Sequence, residues 1–163
     1  MSTRDWPEPV ERVAEVLRRA GIEARIEEFP QGTPTAEAAA HAAGCALGQI
    51  VKSLVFEAGG RFVVAMVPGD RRADRQKVAL AAGAKRARVA SADEVEDATG
   101  FKPGAVAPFP LPGVDRVLID RRLLTQDLVW TGAGSEHHLA MIVPADLVRL
   151  TRAEAADLVP ENA

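Results

Sequence analysis

The sequence is poor in the residues that form disulfide bonds and metal sites. Its 163 residues include one cysteine, Cys45, three histidines and no tyrosine. A single cysteine cannot form an internal disulfide or a multi-cysteine zinc site, so Cys45 is predicted to be a small core residue. No apolar run approaches the roughly 18–20 residues that cross a bilayer. The start of the chain is charged and contains two prolines, Pro7 and Pro9, where a signal peptide would be apolar. We therefore expect a cytoplasmic protein without membrane contact.

Charge of one sign is not in large excess either. The chain has 20 basic and 23 acidic residues, a formal net charge of −3, which excludes a strongly basic nucleic-acid binder but allows a local basic patch. Its length is near that of one domain, roughly 100–200 residues, and 47% of its residues are hydrophobic, enough to form a core. We therefore expect one compact domain over residues 1–163, with no DNA partner.

Apolar periodicity and turn residues predict helices mixed with strands. Several strands follow one another as hairpins, for example across Gly59-Gly60. This order favours an α+β domain with a largely antiparallel sheet. The predicted helices are residues 9–20, 36–43, 74–82, 91–100 and a C-terminal region that starts at Pro144 and contains a capping box from Thr151 to Glu154. The predicted strands are residues 22–29, 50–57, 61–67, 86–89, 114–120, 128–131 and 138–143.

Lys52 is the first candidate functional residue. Strand alternation puts it on the same face as Ile50, Leu54 and Phe56, where a charged ammonium must reach water or find an anion. One interpretation is an edge-strand lysine that prevents aggregation. The other is a cation at the lip of a pocket, placed to contact a phosphate or a polarised carbonyl.

Residues 100–113 form the second candidate feature. The segment contains three glycines and four prolines, which exclude regular structure. It is either a surface loop or a rigid loop whose backbone N–H groups hold a phosphate or an oxyanion. Its spacing matches neither the Walker loop nor the dinucleotide-binding fingerprint.

The glycine turn Gly132-Ala133-Gly134 precedes the adjacent histidines His137 and His138. Neighbouring strand residues point to opposite faces, so these two side chains are not expected to share a metal ion. We therefore predict no metal site. The sequence also has no G-x-S-x-G elbow and no supported base for Cys45, which leaves nucleophilic triads without backing.

Seven basic residues lie between positions 71 and 88, opposed locally by Asp70 and Asp74. They form either a solvated face or a surface that follows nucleic-acid phosphates. No aromatic residue lies among them, so the pattern does not predict stacking on single-stranded bases.

These motifs together resemble the YbaK/EbsC family, the free-standing relatives of the editing domain of bacterial prolyl-tRNA synthetases. The similar segments are Gln49 to Phe56, Val67 to Asp70 and Gly100 to Phe109, together with Leu118-Ile119-Asp120 and the glycine turn. The resemblance covers about residues 35–151, with residues 1–30 forming a helix and strand packed on it. It implies a compact α+β domain with a mixed, mostly antiparallel, barrel-like sheet and surrounding helices.

The resemblance also implies a site and an activity, the hydrolysis in trans of the ester of a mischarged tRNA without a cofactor. Its partners would be the tRNA acceptor end and an aminoacyl-tRNA synthetase. Lys52 matches the family's functional lysine, and Gly104 to Pro108 match its G-x-x-x-P loop. The implied catalytic residues are Lys52 and Gly104; the implied substrate-binding residues are Thr35, Ser53, Ala105, Val106, Ala107, Pro108, Gly132, Gly134 and His137; the residues expected on the tRNA backbone are Arg71, Arg72, Arg75 and Lys77.

The amino acid and the activity remain open at this stage. Proline tRNA carrying cysteine, alanine or another small amino acid is the expected substrate. The turn continues as Ser135-Glu136-His137-His138, whereas cysteine-removing members have basic and glycine residues there, so serine and threonine are also candidates. A non-catalytic tRNA- or synthetase-binding module of the same fold is the main alternative, and a small-ligand binder is another.

Overall fold

The computed structural model describes residues 5–161, so residues 1–4 and 162–163 of the predicted domain lie outside the described residues. The order of elements matches an α+β chain. The helices are α1 (Glu8–Ala20), α2 (Ala36–Ala43), α3 (Arg75–Ala81), α4 (Ala92–Thr99) and α5 (Pro144–Thr151). The strands are β1 (Arg25–Glu28), β2 (Val51–Ala58), β3 (Arg61–Pro68), β4 (Ala87–Val89), β5 (Arg116–Asp120), β6 (Val129–Gly132), β7 (His138–Ile142) and β8 (Glu154–Ala156).

Five strands form the larger sheet, in the order β4-β2-β3-β5-β8. β2 and β3 are the predicted hairpin, paired along their full length from Val51 opposite Pro68. β4 pairs with the other edge of β2 only from Phe56 to Ala58. β5 runs parallel to β3, and β8 runs parallel to β5.

Three strands form the smaller sheet, in the order β1-β7-β6, and both of its pairings are antiparallel. β1 is shorter than the predicted strand 22–29. One parallel bridge, between Ile50 and Trp130, connects the two sheets. Most pairings are thus antiparallel, which confirms the predicted mixed, mostly antiparallel sheet.

Local sequence signals set most helix ends. The side chain of Thr35 accepts a hydrogen bond from the N–H of Ala38 (3.0 Å), and Asp74 accepts from the N–H groups that start α3. Ser91 and Glu94 form the predicted capping box of α4. These caps satisfy N–H groups that a helix start leaves unpaired.

The main core lies between the two sheets and α1. Val55 and Met66 come from the larger sheet, Ala140 and Ile142 from the smaller one, and Val13 from α1. A second cluster lies on the other face of the β2–β3 hairpin, where Phe56 and Val67 pack with Val78 of α3. No described helix is long and apolar enough to cross a membrane.

The predicted capping box at Thr151 to Glu154 is wrong. The hydroxyl of Thr151 donates to the carbonyl of Leu147 (2.8 Å), and Arg152 ends α5 in a left-handed conformation (φ 55°). Glu154 begins β8, where its carboxylate accepts two hydrogen bonds from Arg116 (3.0 and 2.8 Å). Pairing with β5 therefore outweighs the local helix signal.

Candidate active site

An incomplete edge of β2 forms the candidate site. Between the bridge at Ile50 and the β4 pairing that starts at Phe56, this edge has no neighbouring strand among the described residues. The last contact on the β4 side is the hydrogen bond from the N–H of Ala90 to the carbonyl of Val55 (3.0 Å). A cleft of about 360 Å³ opens beside β2 here. Its lining residues are Thr33, Pro34, Thr35, Ala36, Ala39, Ile50, Val51, Lys52, Ser53, Leu54, Gly104, Val106, Gly132, Ser135 and Leu139.

Lys52 is the ionisable side chain among these lining residues. It is half-buried, and its Nζ donates a hydrogen bond to the carbonyl of Arg71. Burial lowers the pKa of Lys52, while the carboxylates of Glu37 and Asp70 act in the opposite direction. An ammonium carries three donors, so one contact with Arg71 leaves two for a ligand. Only one edge of β2 is incomplete, because β3 pairs with the other edge along its full length.

The loop of residues 100–113 is held by buried side chains on either side of the cleft-lining residues. Phe101, Ala107 and Phe109 belong to the main core. Gly104 lines the cleft with a φ of +82°, a conformation that favours glycine. The loop is thus a fixed wall.

The backbone N–H groups of this loop differ in whether they already donate a hydrogen bond within the protein. The N–H of Ala105 donates to the carbonyl of Lys102 (2.9 Å). Within the described residues, the N–H groups of Gly104 and Val106 donate no hydrogen bond. Gly104 and Val106 both line the cleft, so they rather than Ala105 offer donors to a ligand.

Gly132 brings the second glycine turn against this loop. A Cβ at position 132 would lie 2.6 Å from the carbonyl oxygen of Val106, closer than any real contact allows. Only a residue without a side chain permits this approach, which closes the cleft between the loop and β6.

The structure brings six of the predicted catalytic and substrate-binding residues to the cleft: Thr35, Lys52, Ser53, Gly104, Val106 and Gly132. The hydroxyl of Thr35 is engaged in capping α2, and the hydroxyl of Ser53 is buried with no hydrogen-bond partner in the described part of the chain.

The other five predicted residues do not line the cleft. Ala105 and Ala107 are buried, and Pro108 lines a different groove, of about 510 Å³, beside α1 and α5. Gly134 is buried against the carbonyl of Pro9. His137 is exposed and lies within hydrogen-bond distance of the carbonyl of Phe29 (Nδ1 to O, 3.2 Å).

Sequence reasoning missed part of the lining. Thr33 and Pro34 precede α2, Ala36 and Ala39 lie on it, and Leu139 is on β7. Their patterns are those of ordinary turn and core residues, so no local signal marked them. Ser135 was visible as the polar residue of the glycine turn.

The two adjacent histidines differ in burial, although His137 lies in the turn before β7 and only His138 is on the strand. His137 is exposed and His138 is buried. Within the described part of the chain, no cluster of three or more histidine, cysteine or acidic side chains is arranged to hold a metal ion. Cys45 is only partly buried, and burial raises the pKa of its thiol.

The four basic residues expected on the tRNA backbone differ in their surroundings. Arg72 and Arg75 are exposed and have no ion pair among the described residues. Arg71 is half-buried, and its carbonyl holds Lys52. The ammonium of Lys77 is engaged inside the protein, with Asp157 and with the carbonyl of Val159 (both 2.7 Å).

Comparisons with known proteins agree with this architecture. A solved structure, described as a candidate trans-editing enzyme for prolyl tRNA synthetase, superposes with a TM-score of 0.89 at 34% identity, covering 96% of this chain and 99% of the other. The multifunctional Ser/Thr-tRNA deacylase ProXp-y of Escherichia coli is 29% identical over 149 residues, 88% of this chain and 89% of that protein. Residues of a proline–tRNA ligase from Nitratidesulfovibrio vulgaris are 36% identical over 101 residues, 61% of this chain but 18% of the ligase.

The family assignment rests on a match over most of the chain. The model of the aminoacyl-tRNA editing domain matches residues 30–150, which include every cleft-lining residue named above. The uncharacterised protein YwhH of Bacillus subtilis is 34% identical over 75% of this chain and 78% of its own length. This chain therefore belongs to the aminoacyl-tRNA editing domain family.

Proposed function

We propose that this protein is an aminoacyl-tRNA deacylase that hydrolyses the ester of a mischarged tRNA in trans. The observation that carries the proposal is the cleft itself: Lys52, Gly104 and Val106 line one small cavity, and the N–H groups of Gly104 and Val106 donate no hydrogen bond within the described residues. Donors of this kind stabilise the negative charge that develops on an ester oxygen during hydrolysis.

The chemistry needs few protein groups. Water adds to the ester carbonyl carbon, the bond to the ribose oxygen breaks, and the proton lost by the water ends on that ribose oxygen. The N–H groups of Gly104 and Val106 face the developing oxyanion, and Lys52 holds the ester or the terminal phosphate. No carboxylate or imidazole is among the lining residues, so we assign the proton transfer to the neighbouring 2′-hydroxyl of the substrate.

The size of the cleft supports a small amino acid. Its volume of about 360 Å³ is near the lower end of ligand pockets, roughly 300–1,000 Å³. Ala36, Ala39, Val106 and Leu139 supply apolar lining. We propose cysteine, alanine, serine or threonine as the amino acid and proline tRNA as a candidate carrier; the similarity to a Ser/Thr-tRNA deacylase supports the two hydroxyl amino acids.

The basic segment Arg71, Arg72 and Arg75 supports a path for the acceptor stem. This segment follows Asp70 in the turn after β3. The carbonyl of Arg71 accepts a hydrogen bond from Lys52 Nζ. A phosphate backbone along Arg72 and Arg75 would therefore lead its 3′ end to the cleft. A synthetase partner is a further part of the proposal.

The test is deacylation of purified tRNAs charged with cysteine, alanine, serine or threonine. Lys52→Met keeps the apolar stem but removes the ammonium, and we expect it to lower kcat/KM by about 10²–10³ while tRNA affinity changes by less than about threefold. Arg149→Met on α5 removes an exposed cation elsewhere and serves as the matched control, with unchanged turnover expected.

Two results would contradict the proposal. Equal losses of turnover and tRNA affinity in Lys52→Met would favour the non-catalytic binding module. Absence of hydrolysis of every ester by the wild-type protein, with tRNA still bound, would do the same.

A further inference from the structure

The glycine turn contributes a polar group to the cleft that the proposed chemistry does not yet use. Ser135 lines the cleft. Its Oγ lies 2.6 Å from Nδ1 of His138 and accepts a hydrogen bond from the N–H of His137 (3.0 Å). Two contacts therefore fix the orientation of this hydroxyl.

His138 is buried behind Ser135, away from the solvent. Only 4% of the residue is exposed, and the ring of Trp6 packs against it edge-on, with centroids 5.4 Å apart at 86°. The charged and titratable groups around it are Glu28, which pairs opposite on β1, and His137 on the same turn; the exposed Glu136 lies two residues earlier. Burial lowers the pKa of His138, Glu28 raises it, and His137 lowers it.

The hydrogen-bonding capacity of Ser135 can be counted. A hydroxyl has one donor and two acceptor lone pairs. One lone pair takes the N–H of His137. If neutral His138 accepts the hydroxyl proton at Nδ1, the second lone pair of Oγ is left for a ligand. Protonation of His138 at Nδ1 would use that lone pair and turn the hydroxyl proton outward.

The other polar groups of the cleft indicate which donor of a ligand would hydrogen-bond to Ser135 Oγ. Lys52 and the N–H groups of Gly104 and Val106 are donors, suited to the oxygen atoms of an aminoacyl ester and its phosphate. The same ester carries an α-ammonium group, which needs an acceptor. We propose that Ser135 Oγ binds the α-ammonium of the aminoacyl group and that neutral His138 is its positioning residue. This inference rests on the proposed function, because it takes an aminoacyl ester as the ligand.

Binding of two non-hydrolysable mimics by calorimetry tests the inference separately from catalysis. The probes are the alanyl and propionyl amides of 3′-amino-3′-deoxyadenosine, which differ only in the α-amino group. We expect Ser135→Ala to weaken the alanyl probe about tenfold and the propionyl probe less than twofold. Equal effects on the two probes, or no binding of either probe by the wild-type protein, would overturn the inference.

The role of His138 is tested by pH and by a conservative replacement. Wild-type binding of the alanyl probe should weaken from pH 7.5 to 5.5 more than that of the propionyl probe. His138→Asn keeps a polar atom near the Nδ1 position without titrating there, so it should retain affinity within about threefold and lose this extra pH dependence. His41→Gln, on the exposed face of α2, is the control and should behave as wild type. Retention of the wild-type pH dependence in His138→Asn would overturn the positioning role.

The two proposals can fail independently. If esters are hydrolysed but Ser135→Ala binds both probes as the wild type does, the inference is wrong and the deacylase function stands. If no ester is hydrolysed but the alanyl probe depends on Ser135, the site recognises aminoacyl ends without cleaving them, and the deacylase function is wrong.

Discussion

Gly132 allows the two loops of the cleft to pack directly against each other, because it has no side chain. The carbonyl of Val106 occupies the space that a side chain would fill, and the N–H of Val106 is one of the donors we assign to the oxyanion. The position of one glycine therefore fixes the wall of the cleft to β6. Neither Gly132 nor Val106 reveals this contact in the sequence, since 26 positions separate them.

We expect Gly132→Ala to displace the loop and lower the free energy of unfolding by about 1–3 kcal/mol, because the backbone carbonyl of Val106 cannot move as a flexible side chain would. Denaturant unfolding measures the change, and deacylation should fall with it. The matched control is Gly48→Ala, whose Cβ would meet only the exposed Asp70 carboxylate at 3.4 Å. Equal stability of the two variants would contradict the close contact.

At the scale of elements, α1 supports both loops of the site although it precedes the family-matched residues 30–150. Arg12 donates to the carbonyl of Gly100 (2.8 Å), and its guanidinium lies 4.8 Å from the centre of the Phe101 ring. The start of the helix also packs against the glycine turn, where the carbonyl of Pro9 faces Gly134. The N-terminal segment thus acts as a support for the loops of the candidate site, beyond covering the core.

Arg12→Met should release the loop of residues 100–113 at its first residue. We expect a loss of about 1–2 kcal/mol in the free energy of unfolding, from one hydrogen bond and one cation–π contact, and faster thermolysin cleavage within the loop. Mass spectrometry of the first fragments locates the cleavage. Arg19→Met is the control, because Arg19 lies on the same helix, is 80% exposed at its side chain and forms its ion pair with the helix residue Glu15. Cleavage elsewhere first would argue against this support.

At the scale of the whole molecule, this acidic protein carries two exposed arginines, Arg72 and Arg75, on the segment that follows the cleft contact of Arg71. The net charge of −3 gives no general attraction for tRNA, so binding must depend on local contacts. Arg72 and Arg75 are exposed and unpaired among the described residues, whereas Lys77 is engaged with Asp157. We therefore leave Lys77 out of the proposed tRNA surface.

The salt dependence of tRNA binding measures this surface. Each phosphate contact releases counterions, so Arg72→Ala and Arg75→Ala should each reduce the slope of log affinity against log salt by about 1. Arg149→Ala on α5 removes a cation that is paired with Asp146 and should leave the slope unchanged. A common small change in all three variants would instead indicate general charge attraction.

The sequence by itself determined the local elements and the family. Caps at Thr35, Asp74 and Ser91, the Gly59-Gly60 hairpin and the irregular segment 100–113 all depend on neighbours in the chain, so the sequence was enough to predict them. Lys52 was identified for the same reason, because strand alternation is local.

Only the tertiary structure decided what surrounds these features. The gap on the β2 edge and the contact of Gly132 with Val106 depend on backbone that is distant in the sequence. The burial of His138 behind Ser135 likewise involves packing against the distant Trp6. The same reason explains the failed capping box, since β8 exists only because β5 offers it hydrogen-bond partners. Local patterns are fixed by covalent neighbours, but a cleft is a product of packing.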